Sequence, residues 1–318
     1  MNQGNCMKDL IWDTPFASVI LTLSEAMRKD LCISSIPLCC LLRRFIRQCK
    51  TDWPKSFMRC PAVRIESNRY FHTKRCYKIA MPAIGFSTGA LALGDVQHAL
   101  ALLRSTTANA VELSALRQNE LPALVNLVNE LDLSQFEYIS VHAPSALEPE
   151  YEETALELLA VFQERNWPII VHPDAMHDIA EWRRFGELLY IENMDIRKPI
   201  GQTASHLAAI FAELPQACLC FDIGYARQVD PTMSEAAQIL LQLKDRLGQL
   251  HISEVNAQSK HDRLSLEAVM AFRRVASLIP ADVPVILESR VDETEVQQEI
   301  DNAIRALDTR VALAIAGD

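Results

Sequence analysis

Eight short apolar runs recur along this chain, separated by stretches of helix length, and seven of them finish at an acidic or histidine side chain. The seven are Val111-Glu112, Ile139-Ser140-Val141-His142, Ile169-Ile170-Val171-His172, Leu189-Tyr190-Ile191-Glu192, Leu219-Cys220-Phe221-Asp222, Leu250-His251 and Val285-Ile286-Leu287-Glu288. The eighth, Ala83-Ile84-Gly85-Phe86-Ser87, comes first and has no such ending. Apolar runs alternating with helix-length segments are the pattern of βα units. No hairpin turn signal joins two runs, and every connection is long enough for a crossover, so a parallel sheet is expected. Eight such units describe an α/β fold, a (β/α)8 TIM barrel, whose chemistry sits at the C-terminal ends of the strands. An open flavodoxin-like sheet would need a glycine-rich phosphate loop after the first strand, and Gly85-Phe86-Ser87-Thr88-Gly89 is too sparse for that.

The intervening segments carry helical stripes and stops. Asp95 is placed to cap a helix over 96–103, and Leu121, Leu124, Val125 and Val128 make one stripe of a helix near 118–131. Further helices are expected at about 150–165, stopped by Trp167-Pro168, and at 175–186, ending at Gly186 as a C′ residue. The remaining four are expected at 202–213, 232–246, 265–278 and 293–308.

Charge divides the chain. Of 31 Lys/Arg and 41 Asp/Glu, fourteen and six lie in residues 1–81, a balance of +8; the remaining seventeen and thirty-five give −18. Seven of the nine cysteines also precede residue 81, without paired metal-ligand spacing. Residues 1–80 therefore read as a non-barrel N-terminal extension, poorly ordered or a start-site artefact, with an Arg-rich transit peptide as the alternative. The barrel is expected over 81–318. The apolar stretch from Leu31 to Leu42 is too short to span a bilayer, and Arg43-Arg44 follow it, where a secretory signal has its basic residues first. Cys218 and Cys220, two apart in one strand, read as thiols of a reduced compartment, and a cytoplasmic location is expected.

Glu192, Asp222, His251 and Glu288 end four consecutive runs, so their side chains can converge. Three carboxylates and an imidazole suit a hard divalent ion, Mn²⁺, Mg²⁺ or Co²⁺, with Zn²⁺ also compatible. Without a cation three anionic groups would repel one another. The plainer alternative makes each of them a helix cap or a salt-bridge partner.

The strand endings Ile191-Glu192-Asn193, Phe221-Asp222-Ile223-Gly224, Leu250-His251-Ile252-Ser253 and Ile286-Leu287-Glu288 resemble the xylose isomerase-like TIM-barrel superfamily over about 83–290. That group holds sugar phosphate isomerases and epimerases, inosose dehydratases and the endonuclease IV type of AP endonuclease (family 2). The resemblance implies that Glu192, Asp222, His251 and Glu288 hold one divalent ion. It also implies that Glu192 and Glu288 exchange protons with a sugar or related polyhydroxy carbonyl compound through an enediolate. His142, His172, Tyr225, His261 and Glu112 are then expected to bind substrate. Two departures stand out: many members have His after Asp-x-Gly where this chain has Tyr225, and a His-x-Pro-Leu-Gly element reads His261-Asp262-Arg263-Leu264-Ser265.

The reading is an isomerase or epimerase of carbohydrate metabolism. One alternative is an endonuclease IV-like phosphodiesterase acting on abasic DNA, which would use His142 and His172 as further zinc ligands. Against it stand a barrel balance of −18, which repels a phosphate backbone, and short βα loops. The other alternative is a non-catalytic sugar-binding barrel. The expected partner is a small carbohydrate, with no nucleic acid or membrane, and a homodimer is allowed. Arg197 and Lys198 read as a solvated loop, and His98, His177 and His206 as surface or packing residues in helices.

Overall fold

The structure, a computed structural model, describes residues 82–308. The expected N-terminal extension lies outside the described residues. Ten strands are present among those described: β1 Ile84–Ser87, β2 Ala110–Ser114, β3 Tyr138–His142, β4 Ile169–Val171, β5 Leu189–Glu192, β6 Cys218–Asp222, β7 Leu247–Ile252, β8 Glu254–Val255, β9 His261–Asp262 and β10 Val285–Leu287. Eight of them close a barrel in the order β1-β10-β7-β6-β5-β4-β3-β2, with every pair parallel. The strands are short and mostly buried on both faces, as a parallel sheet covered by helices requires. β8 and β9 pair antiparallel outside the barrel. This ribbon joins none of the eight barrel runs, all of which pair parallel as expected, and it carries His261 back over the rim.

Helices alternate with the strands: α1 Thr88–Ala92, α2 Val96–Leu103, α3 Leu121–Leu127, α4 Glu152–Gln163, α5 Ile179–Trp182, α6 Ala204–Glu213, α7 Ile223–Val229, α8 Ser234–Gln242, α9 Leu266–Phe272 and α10 Val296–Leu307. Asp95 caps α2 by accepting from His98 N at 3.0 Å, as expected. In α10, Val296, Glu299, Ile300, Ala303 and Ala306 are buried at three- and four-residue spacing, which seats one face on the barrel. No helix among the described residues is long and apolar enough to cross a membrane.

α4 lies within the expected 150–165 and stops before Trp167-Pro168, where Asn166 turns left-handed at φ 58, a conformation that Asn tolerates. Two other segments depart from expectation for identifiable reasons. The segment expected as helix 175–186 keeps one α-helical turn, α5. The Glu152 side chain takes the backbone N–H groups of His177 (2.7 Å) and Asp178 (2.9 Å) and Trp182 Nε1 (2.8 Å), substituting for a helical ladder and leaving His177 in a turn. α7 follows β6 without a loop. It needs Gly224, since a Cβ there would stand 2.5 Å from the carbonyl oxygen of Ser253.

Gly85 is required in the sheet itself. A Cβ there would sit 1.7 Å from the Ala110 carbonyl oxygen, inside the β1–β2 pair. Backbone cannot retreat as a side chain can. Gly85→Ala is therefore expected to destabilise the barrel by about 3 kcal/mol or more, read as a lowered urea midpoint. An unchanged midpoint would contradict this packing.

Candidate metal centre

Glu192, Asp222, His251 and Glu288 each offer one ligand atom, and those four atoms lie within 4.8 Å of one another. Glu192 and Asp222 are the last residues of β5 and β6, His251 is next to last in β7, and Glu288 follows β10 directly. These strands are consecutive in the barrel wall, so ordinary parallel register brings their ends together. Glu192 is the hub. Its Oε1 lies 3.0 Å from His251 Nδ1, and its Oε2 lies 3.1 Å from both His142 Nε2 and His172 Nε2. Asp222 Oδ1 caps α7 by accepting from Tyr225 N at 2.6 Å, while Oδ2 is buried with no hydrogen-bond partner. Glu288 Oε2 is likewise unpartnered, 3.5 Å from His251 Nδ1 and 3.6 Å from His261 Nδ1.

The other expected site residues gather on the same rim. His142 donates Nδ1–H to the Ala143 carbonyl at 2.6 Å, which leaves Nε2 facing Glu192. The His172 ring stands edge-on to it, with centroids 5.0 Å apart. Tyr225 Oη and His261 Nε2 are 2.9 Å apart, and the Ser253 hydroxyl lies 2.8 Å from His261 Nδ1. Glu112 is fully buried lower in the barrel, with Oε2 3.0 Å from His251 Nε2. His142, His172 and Glu192 form a second group able to hold an ion, and Glu112, His142 and Glu288 a third. Arg197 and Lys198 pair with Asp195 (2.8 Å) and Asp174 (2.6 Å).

Among solved structures, a xylose isomerase domain protein from Alicyclobacillus acidocaldarius matches with a TM-score of 0.50 and 16% identity, over 72% of this chain and 98% of that one. The two share the TIM-barrel fold. Endonuclease IV from Thermus thermophilus also matches (18% identity, 71% and 98% coverage, TM-score 0.46). So does a 3-keto-D-glucoside 4-epimerase from E. coli (13% identity, 71% and 98% coverage, TM-score 0.43). The sequence matches no family model and no curated protein.

Electrostatics test whether the rim of this barrel fits a cation. Burial pushes the Glu192 carboxyl up, but the charge of His251 and hydrogen bonds from His142, His172 and His251 outweigh it, holding it well below the usual range. Asp222 moves the other way. Burial, then the charges of Glu288 and Glu192, push its carboxyl well above the usual range. Burial lowers His142, yet the Glu192 hydrogen bond and the charges of Glu112, Glu192 and Glu288 raise it to about 9. Burial and the neighbouring carboxylates raise the Tyr225 phenol, so it stays a neutral donor. The site thus holds three buried carboxylate oxygens without a hydrogen-bond partner, Asp222 Oδ2, Glu288 Oε2 and Glu112 Oε1, beside the Glu192 carboxylate. Orphaned buried anions are costly, and a divalent ion offsets that cost. Ligands about 2.1 Å from one ion lie no more than ~4.2 Å apart, so the observed spread needs only a slight closing. The donor set of three oxygens and one nitrogen fits Mn²⁺, Mg²⁺, Co²⁺ or Zn²⁺.

Sequence reasoning did not single out Asn193, Ser253, Gln249 or Ser289. Asn193 clamps the end of β6 through both its amide atoms, to Asp222 N and O at 2.8 Å each. Gln249 could have been found, because it alternates with His251 on one face of β7. Ser289 Oγ is buried with no hydrogen-bond partner, and its neighbour Glu288 was the only sequence cue.

Proposed function

We propose that this chain is a metal-dependent isomerase or epimerase of a sugar or related polyhydroxy carbonyl compound, working through an enediolate. One observation carries the reading: two glutamates converge with an aspartate and a histidine within ion-binding reach. Glu192, Asp222, His251 and Glu288 would hold the ion, which when bound polarises the substrate carbonyl and hydroxyl and so acidifies the neighbouring C–H. Glu288 has an unengaged oxygen at the rim and is the better placed to take that proton. The electron pair left on carbon passes into the enediolate. The proton returned on the other side comes through Glu192, an ionised carboxylate that first takes it from the protonated His142, whose Nε2 lies 3.1 Å from Glu192 Oε2. Tyr225, His261, His142 and His172 would bond substrate hydroxyls. Glu112, expected from the sequence to do the same, lies deeper in the barrel.

A second reading, endonuclease IV-like cleavage of abasic DNA, draws on the His142, His172 and Glu192 group, which offers a second ion position sharing Glu192. The −18 balance of residues 82–318 weighs against a phosphate backbone as partner. Incubating the ion-loaded chain with a panel of ketoses and inososes in D₂O separates the readings. Deuterium entering the carbon beside a carbonyl, with an isomer as product, is expected. No exchange across the panel, together with incision of an abasic duplex, would overturn the proposal in favour of the nuclease. Neither activity, with ion uptake retained, would favour a sugar-binding barrel.

A further inference from the structure

One buried polar contact in the barrel joins strands that are not neighbours. Glu112 on β2 and His251 on β7 meet across the interior, with β1 and β10 standing between their strands in the wall. Both side chains are fully buried. Glu112 Oε2 lies 3.0 Å from His251 Nε2, 2.7 Å from Gln249 Nε2 and 3.2 Å from the Ser140 hydroxyl. Tyr138 Oη donates to Gln249 Oε1 at 2.7 Å, which turns the Gln249 amide nitrogen toward Glu112. That nitrogen is also 2.7 Å from His251 Nε2. The contact admits two arrangements. In one, Gln249 N–H donates to a bare His251 Nε2 and Nδ1–H faces Glu192; in the other, Nε2 carries the proton and both nitrogens donate to Glu112, an acceptor-only group. Only the second frees Nδ1 for an ion. On the opposite edge of the ring, His251 Nδ1 faces Glu192 Oε1 at 3.0 Å and Glu288 Oε2 at 3.5 Å.

We propose that Glu112 is a positioning residue: a buried carboxylate that holds His251 by Nε2–H, fixing ring and tautomer so that the Nδ1 lone pair points to the ion. The proposal rests on the metal-site reading above. It accounts for a buried charged group inside the barrel, where a neutral amide would fill the same space. A carboxylate on the far nitrogen both sets the tautomer and makes the near nitrogen a better ligand. Glu112 then acts through His251 and makes no contact with the reacting atoms. A direct substrate role would instead leave the affinity for the ion unchanged.

Mn²⁺ titration of the full chain by calorimetry tests this, comparing wild type with Glu112→Gln, an isosteric change whose folding is checked by circular dichroism. Glu112→Gln is expected to fold as wild type and to bind Mn²⁺ about 10- to 100-fold more weakly. Equal affinity in the two would overturn the positioning role while leaving the metal site standing. No Mn²⁺ uptake by wild type itself would overturn the site and the proposal together. Imidazole ¹⁵N spectra of the Mg²⁺-loaded wild type supply a second readout. A proton on His251 Nε2 is expected, and a proton on Nδ1 would overturn the assignment even if affinities differ.

Discussion

Glu288→Gln is expected to leave the barrel folded while turnover falls by about 10²- to 10⁴-fold, the range for removing a general base. The change keeps the side-chain volume and an amide oxygen that can still bond an ion, but removes the group that accepts a proton. Glu288 follows β10 at the rim, 9% exposed, with a carboxylate oxygen that no hydrogen bond engages. Glu192→Gln should lose turnover to at least the same degree, with a different signature. Its two oxygens face three imidazoles, at 3.0, 3.1 and 3.1 Å. An amide offers one acceptor and turns an NH₂ toward the remaining histidines, so this variant should also bind its ion more weakly and melt earlier. Steady-state rates combined with ion content per chain separate the two. A wild-type rate in either variant would contradict the proton-shuttle assignment.

Addition of a divalent ion to the chelator-treated chain should raise its melting temperature. An ion that binds only the folded chain stabilises it by about 2.7 kcal/mol at a hundred times its dissociation constant. For a barrel of this size, each kcal/mol moves the midpoint by roughly 2–4 °C, so a shift of about 5–10 °C is expected. The physical source is the cluster of Glu192, Asp222 and Glu288. Burial and neighbouring charge already push the Asp222 carboxyl up, and one oxygen each of Asp222 and Glu288 is orphaned. Asp222→Asn should remove most of the shift, because it replaces an anionic ligand while its amide oxygen can still cap α7. Scanning calorimetry with Mn²⁺, Mg²⁺, Co²⁺ and Zn²⁺ in turn reads this directly. No shift with any of the four would count against a metal centre here.

The barrel was legible because its strands are apolar runs bounded by turn residues, and parallel burial on both faces writes that pattern plainly. The site was legible because strand ends in this architecture converge, which put Glu192, Asp222, His251 and Glu288 on one rim from spacing alone. Tertiary contacts were harder to read. α7 was missed because it starts directly on Asp222 and contains Gly224, a helix-weakening residue kept there by the close carbonyl of Ser253. The segment around α5 has an amphipathic look, yet the Glu152 side chain takes the N–H groups that would otherwise start a helix. The Tyr225–His261 contact depends on the β8–β9 ribbon folding back, and nothing local in Ser253 to Asp262 marks it. Glu112 looked like a rim residue because it stands near the end of an apolar run. In fact β2 continues to Ser114, which places Glu112 two residues deeper, beneath His251.

The central claim is that Glu192, Asp222, His251 and Glu288 share one cation. Anomalous diffraction from crystals grown with Mn²⁺ tests it most directly. A single strong peak roughly 2.0–2.3 Å from a carboxylate oxygen of each acid and from His251 Nδ1 is the expected result. Ordered Mn²⁺ elsewhere with these four side chains uncoordinated, or no peak among them at saturating ion, would contradict the account.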